Sequence, residues 1–170
     1  MESVLVMHHT LAKLMAFVLL CSCFVSACAD TAAIEIKFLD STKGVFVAEI
    51  ASDEESRAKG LMHRTYLPAC GGMWFNFGSP RVVAMWMKDT LISLDIIFIG
   101  GDFRVLAIFA NANPLSESLI VSPPSTQYVL EINAGEAREN NLVVGQQVTI
   151  GPRGSLTSLM SRLKCSQTKL

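Results

Sequence analysis

The chain has 170 residues, is 51% hydrophobic and carries a formal net charge of −1. That length suits one domain with appendages rather than two domains. Residues 28–150 hold fourteen acids against nine bases, whereas residues 151–170 hold four bases and no acid. A mildly acidic domain without a basic patch argues against nucleic acid as a partner.

Taken in chain order, the first feature is apolar: Leu11 to Val25 is almost unbroken. Its continuous part, Leu14 to Ala27, is shorter than the ~20 residues a permanent membrane helix needs. Lys13 stands just ahead, with His8 and His9 earlier and small residues behind, which is the layout of a secretory signal. Glu2 is atypical for such a leader, and starting at Met7 would give a cleaner one. Residues 1–28 are therefore expected to direct export, to the periplasm or to a membrane facing it. Two cleavage readings fit. Val25-Ser26-Ala27-Cys28 resembles a lipobox, in which Cys28 is acylated and anchors the protein to a membrane. Ala27-Cys28-Ala29 also satisfies the small-x-small rule for cleavage before Asp30. Beyond the leader only Cys70 and Cys165 remain. One pair in an exported protein can form a disulfide, but the spacing carries no framework pattern and favours two unpaired thiols.

After a short linker, 29–33, the domain runs over 34–150. Ile34 to Phe38 alternates apolar and polar as a half-buried strand does, and Val45 to Ile50 reads as the next strand. Ser52 with Glu55 three residues on has the form of a capping box for a short helix ending by Arg64. Met73 to Phe77 is an aromatic strand, Val82 to Met87 restarts the sheet, and Leu94 to Ile99 is a buried strand. Arg104 to Phe109 is its hairpin partner across Gly100-Gly101-Asp102. Residues 111–124 read as a long loop, Tyr128 to Ile132 as a strand, Asn133 as the cap of a second helix, and Gln146 to Ile150 as the last strand. Many short strands without a βαβ rhythm predict a mainly β fold, a small sandwich or partly closed barrel with two short helices at the rim. In the tail, 151–170, Leu156, Leu159, Met160 and Leu163 form a helical stripe with Ser155 as cap. It either rests on the domain or touches a membrane surface.

These residues also resemble a known family. Arg57-x-x-Gly60-Leu61-Met62 followed by Arg64, Gly72-Met73-x-Phe75-x-Phe77, Trp86-Met87-Lys88-Asp89-Thr90-Leu91-Ile92-x-Leu94-Asp95 and Val129-Leu130-Glu131-x-x-Ala134-Gly135 occur in the order found in domain-of-unknown-function family 192. Two positions depart from it: the family often has Asn where Asp89 stands and Pro where Ser93 stands. The resemblance implies a compact, mostly β domain, often exported or membrane-tethered, and implies no activity.

Met85 to Ile99 holds a tryptophan, a lysine and two aspartates in an otherwise apolar run. If this run forms two central strands, Lys88, Asp89 and Asp95 must meet each other, backbone groups or a ligand, because an unpartnered buried charge costs several kcal/mol. Strand alternation puts Trp86, Lys88 and Thr90 on one face and Met85, Met87 and Asp89 on the other. Three chemistries are conceivable. Asp89 or Asp95 could act as a hydrolase-type acid or base if strands bring them together. Met85 and Met87 could hold Cu(I) in an oxidising compartment, although methionine is also routine core filler. Cys70 and His63 could form a nucleophilic pair. The preferred reading is non-catalytic. Trp86, Lys88, Asp89 and Asp95, with Arg57 from the first helix and Glu131 from a late strand, are expected to bind a small ligand or an envelope protein without a cofactor.

Overall fold

The computed structural model describes residues 31–40 and 44–163. The leader, Cys28 with its cleavage motif, and Cys165 lie outside the described residues. Seven strands form one mixed sheet: β1 (Ala32–Phe38), β2 (Val45–Ala51), β3 (Gly71–Arg81), β5 (Leu94–Gly100), β6 (Val105–Ala112), β8 (Thr126–Asn133) and β9 (Val148–Ser155). Their order is β6-β5-β8-β3-β2-β1-β9, with β2 and β3 parallel and every other neighbour antiparallel. The parallel step needs a crossover, and α1 (Glu54–Lys59) provides part of it.

The expected mainly β fold is what the chain adopts, but not as a closed barrel. Ile34, Phe46, Trp74, Leu130 and Ile97 share one apolar cluster with Val105 from one edge strand and Val148 from the other. Residues at opposite edges meet only if the sheet curls. The edges touch at one end, through an Arg104–Gln147 bridge, so closure is partial. Within this cluster Tyr128 stacks between Trp74 and Phe103, at ring-centroid distances of 4.9 and 5.1 Å.

The outer face is covered in two places. Leu61, Leu67, Met85 and Met87 pack over Met73, Phe75, Ile96, Phe98 and Val129. Covered on both sides, β5 is buried at every position, which is why its sequence is a continuous apolar run rather than an alternating one. The second cover is α3 (Leu156–Arg162), capped by Ser155 as the sequence suggests. It sets Leu159 on Ala33 and Val47, with Leu156, Met160 and Leu163 alongside. The tail stripe thus rests on the domain.

Several local expectations shift. The first helix is capped by Asp53, whose carboxylate accepts the Ser56 amide at 2.8 Å, one residue later than Ser52 with Glu55. It ends at Gly60, whose positive φ of 49° turns the chain away. The second helix, α2 (Glu136–Glu139), begins from Gly135 at φ 90°, while Asn133 donates instead to the Leu67 and Pro68 carbonyls. Val82 to Met87 does not rejoin the main sheet. Only β4 (Ala84–Met85) pairs, with β7 (Ile120–Val121) inside the expected loop, as a separate small sheet. Met85 to Ile99 is therefore not a pair of central strands.

Gly72 explains its own motif. A Cβ there would stand 2.6 Å from the Glu131 carbonyl oxygen on β8, with Ile132 and Leu130 side chains close by. Neighbouring backbone cannot yield as a side-chain tip does. Gly72→Ala is expected to lower unfolding free energy by roughly 1–3 kcal/mol, as overpacked sites do, measured by urea denaturation with an unchanged m-value.

Candidate functional site

Strand pairing places Glu49 of β2, Met73 of β3, Glu131 of β8 and Ile96 of β5 in one row across the outer face. Two carboxyl groups in one covered row need separate answers to their charge. Glu49 has one: Arg64 clasps it through both guanidinium Nη atoms, with Nη2–Oε2 at 2.7 Å. The hydrogen bonds to Glu49 hold the Arg64 guanidinium above its ordinary pKa. Glu131 has none. It is 4% exposed, makes no side-chain hydrogen bond or ion pair among the described residues, and burial alone pushes its pKa up to about 8. At neutral pH it keeps its proton.

Above Glu131 lies a hollow of about 260 Å³ including its open mouth, walled by Arg57, Lys59, Leu61, Phe75, Trp86 and Thr90. Two segments build these walls. The α1 helix carries Arg57, whose Nη1 donates to the Ser52 and Asn76 carbonyls and whose guanidinium lies 5.5 Å over the Phe77 ring. The 86–90 turn carries Trp86, 44% exposed, with Lys88 Nζ 5.3 Å over its indole. A backbone bond joins the segments, the His63 amide donating to the Asp89 carbonyl at 2.8 Å.

Of the six expected ligand-binding residues, Trp86, Arg57 and Glu131 line the hollow, and Lys88 stands over the indole. The two aspartates go elsewhere. Asp89 is exposed at φ 53°, a left-handed turn conformation that Asn also tolerates. Asp95 is fully buried, accepting the Asn111 amide at 2.8 Å on Oδ1 and the Gly135 and Ala137 amides at 2.9 Å on Oδ2. Two of those three amides belong to residues at positive φ, Asn111 and Gly135, so Asp95 fixes strained backbone. Lys88 makes no ion pair with either aspartate. The face assignment holds for Met85, Met87, Trp86 and Lys88. It then fails: the chain turns at Lys88–Asp89, burying Thr90 and exposing Asp89.

The other chemistries find little support here. Met85 and Met87 are core residues beside Leu94, Ile96 and Phe98. Among the described residues no cluster of three His, Cys, Asp or Glu side chains could hold a metal. Cys70 is disulfide-bonded, which corrects the expectation of an unpaired thiol and removes it as a nucleophile beside His63. Its amide donates to Glu136 Oε1 at 3.0 Å, and the other Glu136 oxygen is buried without a partner. Burial holds that carboxyl above its ordinary pKa. Glu49, Arg64, Lys59, Thr90 and Glu136 were not singled out from sequence. The signal for Glu49 was an acid inside the otherwise apolar strand Val45–Ala51.

The raised pKa has a thermodynamic consequence. Between the unfolded value of 4.5 and the folded value of about 8, the folded state holds a proton on Glu131 that the unfolded state has lost. Stability therefore falls as pH rises through that window and levels off above it. The loss is of order 5 kcal/mol at a linkage of about 1.4 kcal/mol per pKa unit. Glu131→Gln should remove this slope, measured as the wild-type-minus-variant difference in urea unfolding at pH 5, 7 and 9. Asp95→Ala, which strands three amides, should cost at least about 3 kcal/mol at pH 7 in the same assay.

Comparison with known proteins places this geometry. The model of the DUF192 family, described as "Uncharacterized ACR", matches residues 36–150. A Sinorhizobium meliloti protein named a "putative transcription regulator" has a crystal structure that superposes with a TM-score of 0.67 at 34% identity, covering 72% of this chain and 96% of that one. A Novosphingobium aromaticivorans protein of unknown function superposes with a TM-score of 0.66 at 37% identity, covering 74% of this chain and 90% of that one. No curated protein matches.

Proposed function

This chain belongs to the DUF192 family, and on that premise we propose that it is a non-catalytic binding domain whose hollow over Glu131 receives a small ligand. The observation that carries the reading is the nearly buried Glu131, its carboxyl without a hydrogen-bond partner among the described residues, beneath an opening edged by an exposed indole. A folded protein rarely leaves a buried polar group unmet. A hollow with a few polar groups among mostly apolar walls is the usual form of a small-molecule site. A carboxyl titrating near neutrality also suits general acid catalysis. Against that, among the described residues neither a second carboxyl nor an imidazole lines the hollow, and the Thr90 hydroxyl donates to the Lys88 carbonyl at 3.3 Å.

A second occupant has its own support. Val82, Trp86, Leu119 and Val121 are each 44–63% exposed on and beside the small β4–β7 sheet, an apolar face suited to an envelope protein. The name carried by the S. meliloti neighbour does not transfer readily, because residues 28–150 hold five more acids than bases.

Export completes the reading: the leader delivers the domain to the periplasmic side, and acylated Cys28 holds it at the membrane. Labelled palmitate is expected to enter the wild-type protein and to be lost in Cys28→Ala; incorporation in both would refute the anchor. For the hollow, a metabolite library screened by NMR on labelled protein should shift the Trp86 indole N–H, and Trp86→Ala should weaken each hit. A library that moves no resonance around Trp86 or Glu131 would end the binding reading.

A further inference from the structure

We propose that the hollow is a site for a small organic carboxylate with an apolar body, its carboxylate accepting the Glu131 O–H and balanced by the cations of the rim. This rests on the binding reading above and names the ligand class for the same site. The argument begins with the difference between two acids in one row. Glu49 has Arg64, whereas Glu131, beyond Met73, is equally covered and has no partner among the described residues. What Glu131 lacks must come through the hollow.

The groups around Glu131 select the ligand's charge. From α1 come Arg57, with only Nη1 engaged by hydrogen bonds among the described residues, and Lys59. From the 86–90 turn comes Lys88, over the Trp86 ring. On the strands beside it, Met73 and Ile96 are uncharged, and Glu49 beyond Met73 is neutralised by Arg64. Glu54 and Glu55 of α1, His63 and Asp89 are exposed and none lines the hollow. A cationic ligand would enter beside Arg57 and Lys59, with Lys88 over the adjoining indole, and would have to ionise a carboxyl that burial keeps protonated. A neutral ligand would satisfy Glu131 but leave the cations unmatched. An anion meets both conditions, and an O–H donated to a carboxylate is among the stronger hydrogen bonds.

The walls select the rest. Leu61, Phe75, Met85 and Trp86 offer apolar and aromatic surface. Most of the about 260 Å³ is open mouth rather than enclosed cavity, so the carboxylate reaches Glu131 while the body, a single ring or short chain, lies in the mouth against the indole. Because the donor is the protonated carboxyl, the site also has a pH limit. Above about 8 Glu131 ionises, and two carboxylates would then face each other.

The test is titration of the full chain with benzoate, benzamide and benzylamine, three probes of one shape and different charge, read at the Trp86 indole N–H. At pH 6.5 benzoate should bind roughly tenfold or more tighter than benzamide, and benzylamine should not bind. Benzoate affinity should fall about tenfold or more by pH 9 as the donor is lost. Glu131→Gln, which keeps a donor, should bind benzoate without that pH dependence. Lys88→Met, half-buried beside the indole, should weaken benzoate severalfold and leave benzamide unchanged. Benzamide or benzylamine binding tighter than benzoate would overturn the carboxylate assignment while leaving the binding reading intact, as would pH-independent benzoate binding by the wild type. No response to any probe at Trp86, with hits found among other library compounds, would likewise refute the ligand class alone.

Discussion

A carboxyl group beneath an apolar cover keeps its charge only if donors or a cation surround it; otherwise it keeps its proton. This sheet presents that constraint on both faces, Asp95 beside Ile132 on the inner one and Glu49 and Glu131 on the outer. Asp95 meets it with three backbone amides, Glu49 with the Arg64 guanidinium. Glu131 is met by no donor or cation among the described residues and remains an acid at neutral pH. Covering strands with a helix, a turn and a small sheet creates the demand. The way each acid satisfies it decides what that acid does.

The topology sets these acids side by side. Parallel pairing of β2 with β3, followed by antiparallel β8, brings Glu49, Met73 and Glu131 into register. The approach of β3 to β8 depends on Gly72, whose missing side chain leaves space against the Glu131 carbonyl. Asp95, at the start of β5, ties β6 and the entry to α2 to the same sheet. One aspartate thus holds the frame, while the glutamate across the strand pair is left open to the hollow.

Much of the frame was legible in the sequence because it follows period-two and apolar-run signals. Ile34–Phe38, Val45–Ile50, Leu94–Ile99 and Tyr128–Ile132 all lie inside observed strands. Legibility failed where backbone conformation outweighs pattern. Alternation carried past Met87 puts Trp86, Lys88 and Thr90 on one strand face, yet the left-handed residue at Asp89 turns the chain there. Asp53 outcompeted Ser52 as a cap because Ser56 closes a reciprocal pair with it. Asp95 looked like half of a charged pair, and its partners proved to be amides on residues 16 to 42 positions away, which no local reading supplies. Trp86, Arg57 and Glu131 were each visible as unusual residues, but only tertiary register shows that they border one opening.

Depth of burial alone does not mark the working acid. Asp95 is more buried than Glu131, at 0% against 4% exposure, yet its carboxylate is saturated by donors and has nothing left to offer a ligand. Glu136 has a buried oxygen lacking a partner among the described residues, but its other oxygen already accepts the Cys70 amide, and it lies outside the hollow's walls. Glu131 alone among these four combines an unmet carboxyl with an opening. With Glu49 cancelled by Arg64 and Glu131 neutralised by its own proton, the acids of the row contribute no net charge at pH 7. The other charged residues lining the hollow are Arg57 and Lys59, with Lys88 over the adjoining indole, so a domain that is acidic as a whole gathers cations at this opening.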